Sequence, residues 1–451
     1  MSLDAPSSVG AATRTGAYPW IVTIILMLVY TAAFIDRQVL NLVVEPMKRT
    51  MLISDTQMSL LQGLAFTCAY VVFSPIMGRL ADRANRRNVL IGAVVVWSLC
   101  TAAGGLATGF WTFFASRAGV GAAEAAVTPV AWSMLSDYFS RERLPRAMSL
   151  FLIGPYVGAG LALIFGGLLL GSAGSLAVTA PILAGFEPWQ IVFIVIGLPG
   201  LLLATLLLVV REPKRAAQAS GGAGIVMTVG EVARYFRDGR AFFGRFYAGM
   251  AGIIIILYAL PSWMPAFLMR RFDVEPRAVG LQYGTLVLIV GTIGVLSGPL
   301  LGRWIDARGH RASTMLVAAI AALALVPVSI ALPLSPTYTI GLVVAGLATF
   351  FFSLPQAMAA SALQLATPPG MRGIAASMYV FLVAVIGLGV APTVVALLTD
   401  YVFGDPRQVG WSLGIVCATS SAIGAWLAFG AVPHYRAAVA RADAYGTSVA
   451  P

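Results

Sequence analysis

Four charged residues stand inside apolar runs of this 451-residue chain: Asp36 and Arg37 in one run, Arg117 and Glu124 in another. A charge at the centre of a bilayer costs roughly 3 kcal/mol on insertion scales, which makes each of the four a functional candidate by default. Two acids and two bases form a neutral set able to pair. Arg117 and Glu124 are seven positions apart, about two helical turns, and therefore share a helix face. Desolvation favours the neutral form of a buried acid, so Glu124 is expected to take a proton, with Asp36 as its partner or as the primary acceptor. Protonating either acid frees an arginine. Arg37 or Arg117 could then hold a phosphate or carboxylate in its planar fork.

The elements that must position these charges follow from composition. The chain is 59% hydrophobic and 10% charged, with a mean hydropathy of +0.88, whereas soluble domains carry about 25% charged residues. Apolar runs long enough to cross a bilayer recur at 19–45, 56–79, 89–107, 109–138, 147–170, 188–210, 241–269, 280–302, 313–332, 338–365, 374–399 and 411–433. An all-α integral membrane protein of twelve transmembrane helices is the expected fold. The first 18 residues lack the apolar core and cleavage site of a secretory signal and are expected to stay on the protein as a tail.

Several chemistries are excluded. The two lysines, Lys48 and Lys214, belong to no phosphate loop, and no Asp-Lys-Thr-Gly phosphorylation motif exists. Transport would then draw on a proton gradient rather than on ATP. Cys68, Cys100 and Cys417 stand singly in apolar runs, and His310 and His434 lie apart, so no metal-ligand spacing is present and no cofactor is expected. The intramembrane acids have no nucleophile, histidine or metal beside them, which argues against an enzyme. The net charge of +11 has no separate basic domain that would bind nucleic acid. It serves topology instead: placing the N-terminus inside puts 21 of the 29 basic residues in inner connections and six in outer ones, as the positive-inside rule requires. Both termini are expected in the cytoplasm.

The longest connection, 211–240, contains an amphipathic segment from Val226 to Phe236 and divides the spans six and six. A membrane-surface helix is its expected form. The organisation is thus a tail (1–18), an N-terminal six-helix bundle (19–210), the linker (211–240), a C-terminal bundle (241–433) and a second tail (434–451). An internal repeat agrees with that division. Gly78-Arg-Leu-Ala-Asp82-Arg83-Ala-Asn-Arg86-Arg87 after the second run returns, 224 positions on, as Gly302-Arg-Trp-Ile-Asp306-Ala-Arg308-Gly-His310-Arg311 after the eighth. Two such halves related by an axis along the membrane normal form a known transporter design. The same offset carries Asp36, Arg37, Arg117 and Glu124 onto Leu260, Pro261, Gly341 and Ala348. The charges therefore belong to the N-terminal half alone, and proton chemistry is expected there.

Gly78 to Arg87 is similar, at every specified position, to the loop motif Gly-x-Leu-Ala-Asp-Arg-x-x-Arg-Arg of the major facilitator superfamily. The resemblance implies the major facilitator fold, with two pseudo-symmetric bundles. It also implies a conformational latch made of Gly78, Asp82, Arg83, Arg86 and Arg87. Gly302, Asp306, Arg308 and Arg311 would form the weaker second copy, where Ala307 replaces an arginine. Phe34-Ile-Asp36-Arg37, Asp82-Arg83-Ala-Asn-Arg86-Arg87 and Arg117-Ala-Gly-Val-Gly121-Ala-Ala-Glu124 together resemble Spinster-type transporters, including bacterial ones. That resemblance implies a lipid-like amphiphile of the sphingolipid or lysophospholipid type.

On the substrate side Arg37, Arg117, Tyr156, Tyr258 and Gln356 are the expected contacts. Aromatics of the seventh run, Phe242, Phe243, Phe246, Tyr247, Trp263 and Phe267, serve either packing or ligand, and Pro261 and Pro265 are expected to bend or loosen its outer end. Gly154-Pro155-Tyr156-Val-Gly158-Ala-Gly160 is similar to an antiporter motif but lacks its adjacent glycine pair. A symporter of small organic anions such as sugar acids is the alternative within transport, and a receptor or scaffold is the alternative outside it. A monomer in a bacterial inner membrane, surrounded by membrane lipids, is the expected setting.

Overall fold

A computed structural model of the chain describes residues 16–140, 143–213, 229–310, 312–368 and 371–448. Among them eleven helices are long and apolar enough to cross a membrane. In order they are span 1 (Tyr18–Val39), span 2 (Asp55–Ala81), span 3 (Arg86–Gly104), span 5 (Arg146–Leu176), span 6 (Pro188–Val209), span 7 (Arg240–Phe272), span 8 (Pro276–Ala307), span 9 (Ser313–Ala331), span 10 (Tyr338–Leu365), span 11 (Arg372–Phe403) and span 12 (Pro406–Ala444). Span 4 is the twelfth crossing, made of two shorter helices, Phe110–Glu124 and Val127–Tyr138. The break has a covalent cause: Pro129 has no N–H to give the carbonyl four residues back, that of Ala125. Glu124 is consequently the last residue of the first piece, at the interruption midway along the crossing.

The polypeptide winds so that the first and last described residues lie on one side, the terminal end, while the connections between spans 1 and 2, 5 and 6, and 7 and 8 lie at the far end. Between spans 1 and 2 a short helix, Val44–Met51, turns through Leu52 at φ +52°. Span 2 then starts with a capping box in which Ser54 and Gln57 satisfy each other's backbone N–H. Spans 2 and 11 each contain a π-helical stretch, Leu60–Leu64 and Val383–Val390, and these two stretches pack on one another across the bundle boundary. Span 5 lies along span 8 across the same boundary.

Contact between the bundles concentrates toward the far end. Among the described residues the polar links between them are Thr56 N–H to Asp400 (2.6 Å), Ser59 to Thr393 (3.3 Å), Gln62 to the Ser262 carbonyl (3.0 Å), and Arg270 to Glu45 and Asp55. All stand on the far half of their spans. Toward the terminal end, Val72, Ile76 and Leu80 of span 2 and Ile374, Met378 and Phe381 of span 11 are exposed.

Three expectations can be set beside the structure. The amphipathic segment expected on the membrane surface forms a helix, Val229–Asp238, whose Val232 and Tyr235 are buried against the second bundle, with the Tyr235 hydroxyl donating to the Ala366 carbonyl at 2.9 Å. Span 7 runs unbroken through Pro261 and Pro265. Span 12 continues as one helix, Val409–Ser448, so residues 434–448 of the expected tail are helical. Residues 1–15 and 214–228, and with them most of the expected N-terminal tail and much of the linker, lie outside the described residues.

Candidate functional site

Spans 1, 3 and 4 bring the four charges together and pair them crosswise. Arg37 donates through Nε and Nη2 to one oxygen of Glu124, Oε2, at 2.5 Å. Arg117 Nη1 reaches Asp36 Oδ1 at 3.5 Å, and the Thr101 hydroxyl of span 3 donates to Asp36 Oδ2. Asp36, Arg117 and Glu124 are each at least 97% buried. Neighbours on one helix therefore do not pair with each other: successive side chains on span 1 point about 100° apart, so Asp36 turns toward spans 3 and 4 while Arg37 turns toward Glu124.

Aromatic rings enclose Arg37. Its guanidinium carbon lies 4.4 Å from the Phe66 ring centroid, 5.0 Å from Phe34 and 5.5 Å from Tyr70, which holds the cation against π faces. Two valences of the quartet stay open: Glu124 Oε1 and Arg117 Nε are buried without a hydrogen-bond partner. A buried polar atom is ordinarily satisfied by protein or by water, so each of the two has room for one more partner.

Below the quartet runs a ladder of amides. Asn41 Nδ2 donates to Gln38 (2.6 Å), and Gln62 Nε2 donates to Asn41 Oδ1 (3.2 Å) as well as to Ser262. These groups, with Phe34, Arg37, Phe66, Arg117, Tyr258 and Leu388, line a cavity of about 20 Å³, enough for one water. It is bounded by both bundles, carrying the charged groups Arg37 and Arg117 on the first and the uncharged Tyr258, Ser262 and Leu388 on the second.

The expected site residues divide accordingly. Arg37, Arg117 and Tyr258 line the cavity. Tyr156 stands on span 5 with its ring beside Gly291 of span 8, and it is within electrostatic reach of Tyr30, Tyr258 and Tyr379. Gln356 turns back along span 10 to donate to the Phe352 carbonyl at 3.2 Å. The seventh-span aromatics pack: Phe242, Phe243 and Phe246 are buried with Tyr435, and Trp263 donates to the Pro392 carbonyl.

The best-held residue of the latch motif is Arg86, whose contacts all lie within the first bundle. Arg86 is buried inside the first bundle, where it donates to Asp137 (2.6 Å), Ser133, Glu212 (2.7 Å) and the Pro213 carbonyl. It ties the start of span 3 to the ends of spans 4 and 6. Gly78 has open space where a side chain would stand, and Arg83 is exposed. Arg87 donates its backbone N–H to Glu212 and its Nε to Asn88. In the second copy Gly302 packs against Met358, Arg308 stacks on Trp304 at 3.2 Å, and Asp306 is exposed. Arg311 and the side chain of Asp82 lie outside what is described.

Sequence reasoning missed Thr101, Asn41 and Gln62, because an uncharged polar side chain in an apolar run is unremarkable on its own. It also missed the far-end charges. Lys48 and Arg270 were counted as loop charges, yet Arg270 is 6% exposed and the side chain of Asp55 fully buried.

The family description Major Facilitator Superfamily matches residues 26–392. The chain is 29% identical over 423 residues to an MFS-type efflux pump of Mycolicibacterium smegmatis, across 91% of this chain and 92% of that one. It is 26% identical over 409 residues to protein spinster homolog 1 of Xenopus tropicalis, across 86% and 74%. Among solved structures, a bacterial homolog of the human lysosomal transporter Spinster, in an inward-facing and unoccupied conformation, superposes with a TM-score of 0.75 at 26% identity, covering 96% of each chain.

Proposed function

The chain belongs to the major facilitator superfamily, and from that premise we propose that it moves lipid-like amphiphiles, of the sphingolipid or lysophospholipid type, coupled to protons by alternating access. It is a Spinster-like integral membrane transporter and not an enzyme. The observation that carries the finer reading is the crosswise quartet with one open oxygen on Glu124 and one open nitrogen on Arg117. A proton arriving at Glu124 cancels the charge that engages Arg37. The freed guanidinium, steadied by Phe66, is then available to an anionic head group, while Arg117 keeps Asp36, to which Thr101 also donates. The Glu124 carboxylate and the anion thereby compete for one arginine, and the proton removes the first of them, which is the minimum needed for coupling. The charged first-bundle wall facing an uncharged second-bundle wall suits a molecule with a head and a tail.

The terminal end faces the cytoplasm of a bacterial cell in this reading, since the basic residues concentrate there, and the conformation, joined at the far end, is inward-facing. Flux measured in proteoliposomes under an imposed pH gradient tests the assignment, with labelled lysophospholipid, sphingoid phosphate and a sugar acid in turn. The lipids should move and Arg37→Gln should stop them. Movement of sugar acids alone would transfer the assignment to small-anion symport, and movement of none would contradict both.

A further inference from the structure

The far end holds a buried charge cluster that no part of the central mechanism uses. Asp55, the first residue of span 2, has its side chain fully buried and is shared by two cations. Arg270 of span 7 grips it with both terminal nitrogens at 2.7 Å, and Lys48 of the short helix Val44–Met51 touches the same Oδ1 that Arg270 Nη2 engages. Arg270 also donates to Glu45 at 2.6 Å and to the Pro406 carbonyl at 3.0 Å. The cluster adjoins a vestibule of about 870 Å³ whose lining includes Glu45, Arg49, Asp273, Glu275 and Arg407.

The two cations differ in where they are anchored. Arg270 belongs to the second bundle and must leave Asp55 when the far end opens. Lys48 is seven residues from Asp55 in the first bundle and travels with it. A carboxylate whose cation leaves before water can reach it is penalised, so a latch of Arg270 and Asp55 alone would resist the first step of opening. We propose that Lys48 is a positioning residue of the transport cycle: a resident counter-ion that keeps Asp55 compensated when Arg270 departs, and so makes the far-end latch releasable. The shared oxygen fixes the sign. Two cations on one carboxylate oxygen repel each other, so Lys48 weakens the closed latch as well as stabilising the open one. On release, Arg270 enters a vestibule that already offers it Asp273 and Glu275.

This inference rests on the alternating access of the family and is independent of which substrate or ion is carried. It is tested with full-length protein carrying Cys68→Ser, to remove an exposed thiol, and Ser59→Cys as a reporter. Ser59 is buried at the bundle boundary on the far side of Gln62, so a polar thiol reagent reaches it only during far-end opening, and its alkylation rate counts even rare openings. Lys48→Met should slow alkylation about tenfold, the effect of ~1.4 kcal/mol, and Lys48→Arg should restore it. Asp55→Asn should speed alkylation, and Lys48→Met added to Asp55→Asn should then change nothing. A structural loss of fold would instead raise reactivity and lower the melting temperature together. The proposal is overturned if Lys48→Met speeds alkylation or leaves it unchanged, or if its effect persists in the Asp55→Asn background.

Discussion

Gly63→Ala separates contacts that must break during transport from contacts that persist. Gly63 sits in the π-helical stretch of span 2, and a Cβ there would fall onto the Leu388 carbonyl of span 11, in the opposite bundle. An unstrained carbon-to-oxygen contact needs ~3.3 Å or more, so the spans must part by on the order of an ångström. Overpacking of this kind costs roughly 1–3 kcal/mol. That cost applies only while the far end is closed, because opening draws the two spans apart, and it shifts the closed-to-open ratio by roughly 5- to 150-fold. Gly121→Ala provides the contrast. Its Cβ would fall onto the Phe66 carbonyl within the same bundle, so the strain is present in both states and lowers the melting temperature without moving the equilibrium. Gly78→Ala meets nothing within 4 Å and should do neither. The assay is the alkylation rate of Ser59→Cys beside a thermal melt. Gly63→Ala should accelerate alkylation within that range at nearly unchanged melting temperature. Unchanged alkylation, or equal acceleration by Gly121→Ala, would refute the division into breaking and persisting contacts.

Three further outcomes are expected. Arg86→Leu leaves Asp137 and Glu212 without their shared buried cation and should destabilise the first bundle by ~3–5 kcal/mol, read as a lowered melting temperature with the Ser59→Cys rate little changed. Tyr235→Phe removes one hydrogen bond to Ala366, worth about 1 kcal/mol, and should raise the rate of proteolysis at the Val229–Asp238 helix. Leu52 is 89% exposed at φ +52°, a conformation that costs a bulky side chain roughly 1–2 kcal/mol and asparagine less, so Leu52→Asn should raise the melting temperature.

Much of this arrangement can be read before any coordinates exist, and the reasons are physical. Asp36, Arg37, Arg117 and Glu124 stand out because charge in hydrocarbon is expensive wherever it falls. The crosswise pairing does not stand out, since it depends on how spans 1, 3 and 4 are rotated about their axes. The break after Glu124 is written in Pro129, whose missing N–H acts locally. The repeat at Gly78 and Gly302 locates the halves, but the burial of Arg86 against Asp137 and Glu212 is a tertiary fact, since all three stand near span ends where solvated charges are usual. Asp55, Lys48 and Arg270 are hidden for the same reason: only the approach of the second bundle turns three rim charges into a buried cluster. The amphipathic stretch ending at Phe236 announces a helix with one apolar face, while the choice between lipid and bundle as its partner belongs to packing around Ala366.

The central claim is that a proton on Glu124 releases Arg37 to an anionic head group. Internal pH in proteoliposomes, recorded for wild type and Glu124→Gln while lysophospholipid, sphingoid phosphate or sugar acid is added outside, tests it most directly. The account predicts a proton movement evoked by the lipids in wild type and absent from Glu124→Gln, with lipid still bound by the variant. An equal proton response in the variant, or lipid flux with no proton movement in wild type, would contradict it.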